Sequence, residues 1–317
     1  MRARRITLHF VGSFLCSVPL GMLAGSSFAD EAGEWTVRNL GAPINSADDE
    51  AYPTITRDGL ALYFSRRAVR STGTNEVGSA SEPDDWDIFV SSRGSLDAPW
   101  GDPQRLPDHI NTDDGEEHSV SLTPDGHWMY FSSTALGSYG GFDIFKSYRN
   151  DVTDELAWEE PENLGRDVNT GQTDVCVIYH QEENSDLASL YFTSNREGTT
   201  GQLDTWRIGY DPRTGEYTEA ENILSVSSPR KDAHLDPEAG FVWTEREGGF
   251  GGGDIWHSDR DDDGNWLSPV NLGSSINTEY EEQLPSPFDH GRIIYFPSDR
   301  PGGVGNLDIY FAENNAL

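Results

Sequence analysis

The chain has 317 residues, enough for one large all-β domain or two ordinary ones, and it carries 55 acidic against 22 basic residues. A net charge of −33 repels phosphate backbones and argues against nucleic acid as a partner. Cysteine occurs only at Cys16 and Cys176, which leaves no Cys₄ zinc site.

Residues 1–29 read as a signal peptide. Arg2, Arg4 and Arg5 form a positive start, an apolar run follows, and Ser27-Phe28-Ala29 fits a small-x-small cleavage site near Ala29. The run is diluted by Pro19 and by Ser and Gly, so it is a poor membrane span, and no later segment is apolar enough to insert. The expectation is a periplasmic or secreted protein. Removing the three arginines takes the net charge from −33 to −36 and leaves Cys176 with no disulfide partner. Such acidity suits a solvated surface or cation binding. Cys176 lies among Val175, Val177 and Ile178 and reads as a small buried hydrophobe.

From residue 34 onward one unit recurs five times. A Trp-led strand opens each copy, at Trp35, Trp100, Trp158 and Trp266, with Tyr217 in the same place once. A polar turn and an acid follow, then a second strand, a turn such as Asp58-Gly59 or Asp125-Gly126, and an aromatic strand such as LYF or MYF. Each copy ends in an Asp-Ile-aromatic strand or its variant, with Asp87, Asp143, Asp204, Asp254 and Asp308 equivalent. Helical periodicity is absent. Four short strands per unit predict an all-β, five-bladed β-propeller over residues 30–317. The blades fall at about 48–106, 115–164, 172–224, 230–272 and 280–311. The strand at 34–40 is expected to complete the last blade and close the ring, which removes open edges.

The recurring aromatic-Phe-x-Ser-x-Arg, the Gly-rich loop, Asp-Ile-aromatic and Pro124-Asp125-Gly126 resemble the Pro-Asp variant of the WD-type repeat. That repeat forms the propeller of TolB-like periplasmic proteins. The resemblance covers residues 34–311 and implies a binding or scaffolding propeller. The N-terminal domain and sixth blade of TolB have no counterpart here.

In a propeller, the loop entering the innermost strand and the loop between the next two strands share one face. The first loop carries Glu50, Glu117, Asp174, Asp232 and Glu282; the second carries Arg67, Arg196, Arg246 and Arg300. Acids and arginines are expected to meet at one pore mouth, either as structural ion pairs or as a binding site. Blade two has STALGSYGG in place of the arginine loop, so Glu117 lacks a local cation, and Glu116 and His118 stand beside it. A carboxylic acid so placed can keep its proton and act as a general acid. The catalytic candidates are therefore Glu117 first, with Glu116, Asp174 and Glu50. Blade one carries a long insertion from Ala68 to Asp85 on this face, and blade four offers His234 near its inner strand.

Asp259, Asp261 and Asp263 followed by Gly264 match the start of a calcium loop, although Val270 stands where the closing Glu would be. The same stretch reads equally as a hairpin turn, so calcium is the one cofactor that the sequence suggests. Phosphate-loop, serine-hydrolase and zincin motifs are missing. The leading expectation is a binding or protein-interaction module, compatible with a monomer, for a protein or glycan ligand. The alternatives are a glycan-active hydrolase or lyase using carboxylates at the pore mouth, and a purely structural scaffold.

Overall fold

The structure is a computed structural model that describes residues 35–68, 85–135, 137–181, 186–223 and 233–314. The signal-peptide segment, Asp232 and most of the blade-one insertion lie outside the described residues. The ring begins with β1 (Trp35–Asn39). Blade one is β2 (Asp49–Ile55), β3 (Ala61–Arg67), β4 (Asp87–Ser92) and β5 (Gln104–Arg105). Blade two is β6 (Glu117–Leu122), β7 (Trp128–Ser133), β8 (Asp143–Tyr148) and β9 (Glu162–Asn163). Blade three is β10 (Asp174–Gln181), β11 (Ala188–Ser194) and β12 (Asp204–Asp211), with its outer edge split into β13 (Glu216–Tyr217) and β14 (Glu221–Asn222). Blade four is β15 (Ala233–Leu235), β16 (Phe241–Thr244), β17 (Asp254–His257) and β18 (Val270–Asn271). Blade five is β19 (Ser286–Phe288), β20 (Ile293–Ser298) and β21 (Asp308–Asn314).

Every pairing between these strands is antiparallel, and among the described residues no helix forms. Blade five takes its fourth strand from the other end of the chain, as the sequence predicts. β1 pairs β21 from Trp35 with Asn314 to Asn39 with Tyr310.

The repeat recurs because the same contacts hold each blade. Phe64, Phe131, Phe192 and Phe296 occupy one place in the second strand and are fully buried. Each contributes about 1.5–3 kcal/mol by leaving water. An Asn on the incoming loop clasps the backbone of the Asp-Ile strand. The Ile88, Ile144, Ile255 and Ile309 amides donate to Asn111, Asn169, Asn277 and Asn45. Asp204, Asp254 and Asp308 accept amides of their own Gly-rich loops, at Thr200 and Gly201, Phe250 and Gly251, and Val304 and Gly305. Those loops press on the next blade. A Cβ at Gly251 would lie 2.0 Å from the Tyr280 carbonyl, and one at Gly305 would lie 2.0 Å from that of Asp48. Only glycine fits there.

Candidate functional site

Four of the predicted ring acids stand at equivalent places, and each holds a loop. Glu50, Glu117, Asp174 and Glu282 are fully buried at the start of their inner strands or just before. Each closes the loop that precedes it. The Ser46, Thr112, Thr170 and Thr278 amides and hydroxyls donate to the four carboxylates in turn. Asp174 also pairs with Arg196, and Glu282 with Arg300 at 2.8 Å. These guanidiniums reach back to the Val168 and Ile276 carbonyls and so tie loop, strand and blade together.

One assignment on this ring needs correction. The partner of Glu50 is Arg66, at 2.8 Å, whereas Arg67 bonds Asp49 and stacks on Trp86. Neighbouring residues of a strand point to opposite faces, so a shift of one changes the partner. In blade four the residue paired with Thr244 is Ala233, and Thr244 matches Ser133 and Ser194, which pair with Glu117 and Asp174. The register thus puts Ala233 at the ring position, and Asp232 lies outside the described residues. Arg246 has no acid at that position, and its buried Nη1 finds no acceptor among the described residues. Burial lowers its pKa.

Blade two shows the reverse. Ala135 occupies the position of Arg196 and Arg300, and Glu117 is held by Thr112 and Ser133 with no cation paired to it among the described residues. Burial pushes its pKa up to about 7. Burial also raises Glu50, although Ser46 and Arg66 oppose it. Glu116 is half-buried, and its backbone amide donates to Thr134.

The open space lies elsewhere. A cavity of about 1590 Å³ occupies the propeller axis and is lined by the inner strands and by the turns at their far ends. Neither the ring acids nor Arg67, Arg196, Arg246 or Arg300 line it. A packed pore of salt bridges is therefore not what fills the axis. Its floor is built by backbone irregularity. β2, β6 and β10 each carry a bulge, and Tyr52, Ser119, Cys176 and Leu284 share a positive φ there. Such conformations are uncommon outside glycine and mark a bulged residue turned from its ladder. Cys176 and Leu284 pack together at the floor, with Tyr52 against them. His118 stacks on Tyr52 at 4.2 Å, and its Nδ1 lies 2.7 Å from the Ser119 hydroxyl. Burial lowers His118 to about 3 and His234, on the cavity wall, to about 4, so both rings are neutral.

The mouth is formed by the turns that leave the inner strands, and it carries Asp58, Asp125, Glu238 and Asp289. In blades one and two the turn is sealed by a threonine. The Thr56 and Thr123 hydroxyls donate to Asp58 and Asp125 at 2.7 and 2.6 Å. Asp125 is raised by burial but lowered further by Thr123 and by the His127 amide, so it stays below the usual carboxylate range. In blade four the equivalent residue is Asp236. Its backbone amide bonds the Phe241 carbonyl as those of Thr56 and Thr123 bond Ala61 and Trp128. The Asp236 carboxylate accepts the Glu238 and Ala239 amides at 3.1 and 2.7 Å, is 8% exposed, and lines the cavity. Burial, with the Glu238 charge beside it, pushes its pKa up to about 7 despite those amides. The sequence analysis did not single out Asp236. The signal was the aspartate of Leu235-Asp236-Pro237 where blades one and two have threonine.

The residues present do not fit a calcium ion at the acidic loop of blade four. Asp261 accepts the Asp263 and Asn265 amides as a hairpin turn does, and Arg260 stacks on Trp266 at 4.1 Å. Among the described residues no three His, Cys, Asp or Glu side chains stand close enough to hold one metal ion. Tyr139 and Phe250 are exposed away from the cavity.

No family model and no curated protein matches the chain. Its fold resembles that of several solved structures. A GH62 hydrolase in complex with xylotriose aligns with TM-score 0.55 and 13% identity over 88% of this chain and 96% of that one. The α-L-arabinofuranosidase of Podospora anserina in complex with cellotriose aligns with TM-score 0.51 and 12% identity over 90% and 99%. A family 117 glycoside hydrolase of the marine bacterium Zobellia galactanivorans aligns with TM-score 0.53 and 12% identity over 89% and 90%. The TolB-like resemblance finds no support among these neighbours. The expectation of a binding or protein-interaction module is corrected by the same finding, since the solved propellers this chain resembles carry the names of glycoside hydrolases. What the likeness shows of the chain itself is its fold, a five-bladed propeller of four-stranded blades.

Proposed function

We propose that the chain is a glycan-active enzyme, a glycoside hydrolase whose substrate enters the axial cavity and meets Asp236 as general acid. The observation that carries this reading is a buried carboxyl group in the cavity wall, at a turn position where blades one and two carry threonine. Glycoside hydrolysis needs one protonated and one ionised carboxyl group. Asp236 keeps its proton near neutral pH because it is desolvated, and Asp125 stays ionised because it accepts two hydrogen bonds. In this scheme Asp236 protonates the glycosidic oxygen as the C–O bond breaks. Water adds to the anomeric carbon and gives its proton to Asp125. The hydrolase propellers of the same fold support the reading as analogy.

The test is release of reducing ends from a panel of polysaccharides by the purified protein and by Asp236→Asn. The variant is expected to lose about 10²–10⁴-fold in rate, the usual worth of a general acid. Activity of the parent should fall as the pH rises through about 7. Equal rates for parent and variant would remove Asp236 from the mechanism.

A further inference from the structure

The axial cavity continues outward on one side. A second cavity of about 550 Å³ lies between blades one and two, and Ser92, Thr153 and Glu155 line both. The outer space therefore opens into the inner one across three shared residues. Val90, which is buried, and Leu156, partly buried, supply the smaller, hydrocarbon part of its lining. Its sides are polar: the side chains of Ser92, Asp102, Gln104, Thr153 and Asp154. Glu155 is fixed at the junction by Arg149 at 2.6 Å and by the Tyr63 hydroxyl. A lining dominated by hydroxyl, amide and carboxylate groups suits the hydroxyl-bearing edge of a sugar ring. Three acids and no basic residue line the groove, so a polyanionic chain would be repelled there. The two spaces together exceed the roughly 300–1,000 Å³ of a small-molecule pocket.

We infer that the lateral groove is a second subsite for an uncharged glycan chain, continuous with the axial cavity, so that the substrate is a polymer and not a disaccharide. This rests on the reading of the axial cavity as a glycan site. The test is calorimetric titration of the full chain with uncharged oligosaccharide series, xylan- and glucan-derived among them, from disaccharide to hexasaccharide. Affinity is expected to rise about tenfold once the oligomer reaches the groove, which is about 1.4 kcal/mol. Asp102 and Gln104 are exposed, so the double variant Asp102→Ala/Gln104→Ala is expected to fold. It should bring the hexasaccharide down to the affinity of the disaccharide, and Gln104→Trp, which fills the groove, should do the same. Length-independent binding overturns the subsite but leaves the axial site standing. A length effect that survives both variants overturns its placement. Equal affinity for a galacturonate series overturns the uncharged ligand class, and no binding at any length overturns both readings.

Discussion

Blades two and four depart from the common pattern in opposite senses at the start of the inner strand, and they differ again at its far end. At the start of the inner strand blade two keeps the acid, Glu117, and lacks the arginine. Blade four keeps the arginine, Arg246, and has Ala233 at the position that pairs Thr244. At the far end of that strand blade two has Thr123 closing its turn, and blade four has Asp236. Both blades thus hold a carboxyl group whose pKa is pushed up to about 7, chiefly by burial. One is sealed inside the loop that it closes and the other faces the cavity. A raised pKa marks desolvation, which a structural carboxyl and a catalytic one share. Access to substrate separates them.

The comparison can be broken most directly by rate. Asp236→Asn should lose about 10²–10⁴-fold in polysaccharide hydrolysis while Glu117→Gln retains the parental rate, measured by reducing ends under one buffer. The reverse outcome would move the site to the acid ring. Stability comes next. Glu282→Ala strands the Arg300 guanidinium beside a lost partner and should cost about 3–5 kcal/mol in denaturant melts. Glu117→Ala strands no cation and should cost about 1–3 kcal/mol, the price of unmet hydrogen bonds.

A third expectation concerns pH. Glu117 and Asp236 have folded pKa values above their unfolded ones, so the folded state binds more protons between about pH 4.5 and 7. Their contribution is full below the unfolded pKa and is lost as the pH rises through the folded one, roughly 3 kcal/mol for each group. Unfolding free energies at pH 5 and pH 8 should therefore differ less in Glu117→Gln than in the parent. An unchanged difference would show that the Glu117 carboxyl is ionised throughout. The smallest effect is expected at Arg246. With no ion pair to a carboxylate among the described residues, Arg246→Met should fall within about 0.5 kcal/mol of the parent, and Arg300→Met should not.

Much of the fold was legible because the repeated residues do repeated work. The Trp-led strand, the Asp of Asp-Ile and the loop glycines recur since each blade needs the same amides capped and the same close approach to its neighbour. That very regularity misdirected the search for a site. The pattern of the ring acids allowed structural ion pairs or a binding site, and Glu282 with Arg300 clamps a loop. Arg67 was named where Arg66 meets Glu50, because register depends on bulges that no residue type announces. Blade four lacks the bulge seen at Ser119 and Cys176, and the ladder from Ala233 to Leu235 runs unbroken. Asp236 was hidden for a simpler reason. Which end of an inner strand meets open space is decided by how five blades pack around an axis, and a single blade does not contain that information.

The pairing of β1 with β21 has a consequence for the order of folding. Blades one to four each draw their strands from one continuous stretch and can form by short loop closures. Blade five cannot be completed until Trp35 meets Asn314, the longest closure in the described chain. The Phe296 and Tyr310 cluster, which packs against Trp35, is thus the last to be shielded from water. Until then β21 is an open edge able to accept a strand from another molecule. The moment of greatest aggregation risk is the interval before the first strand docks.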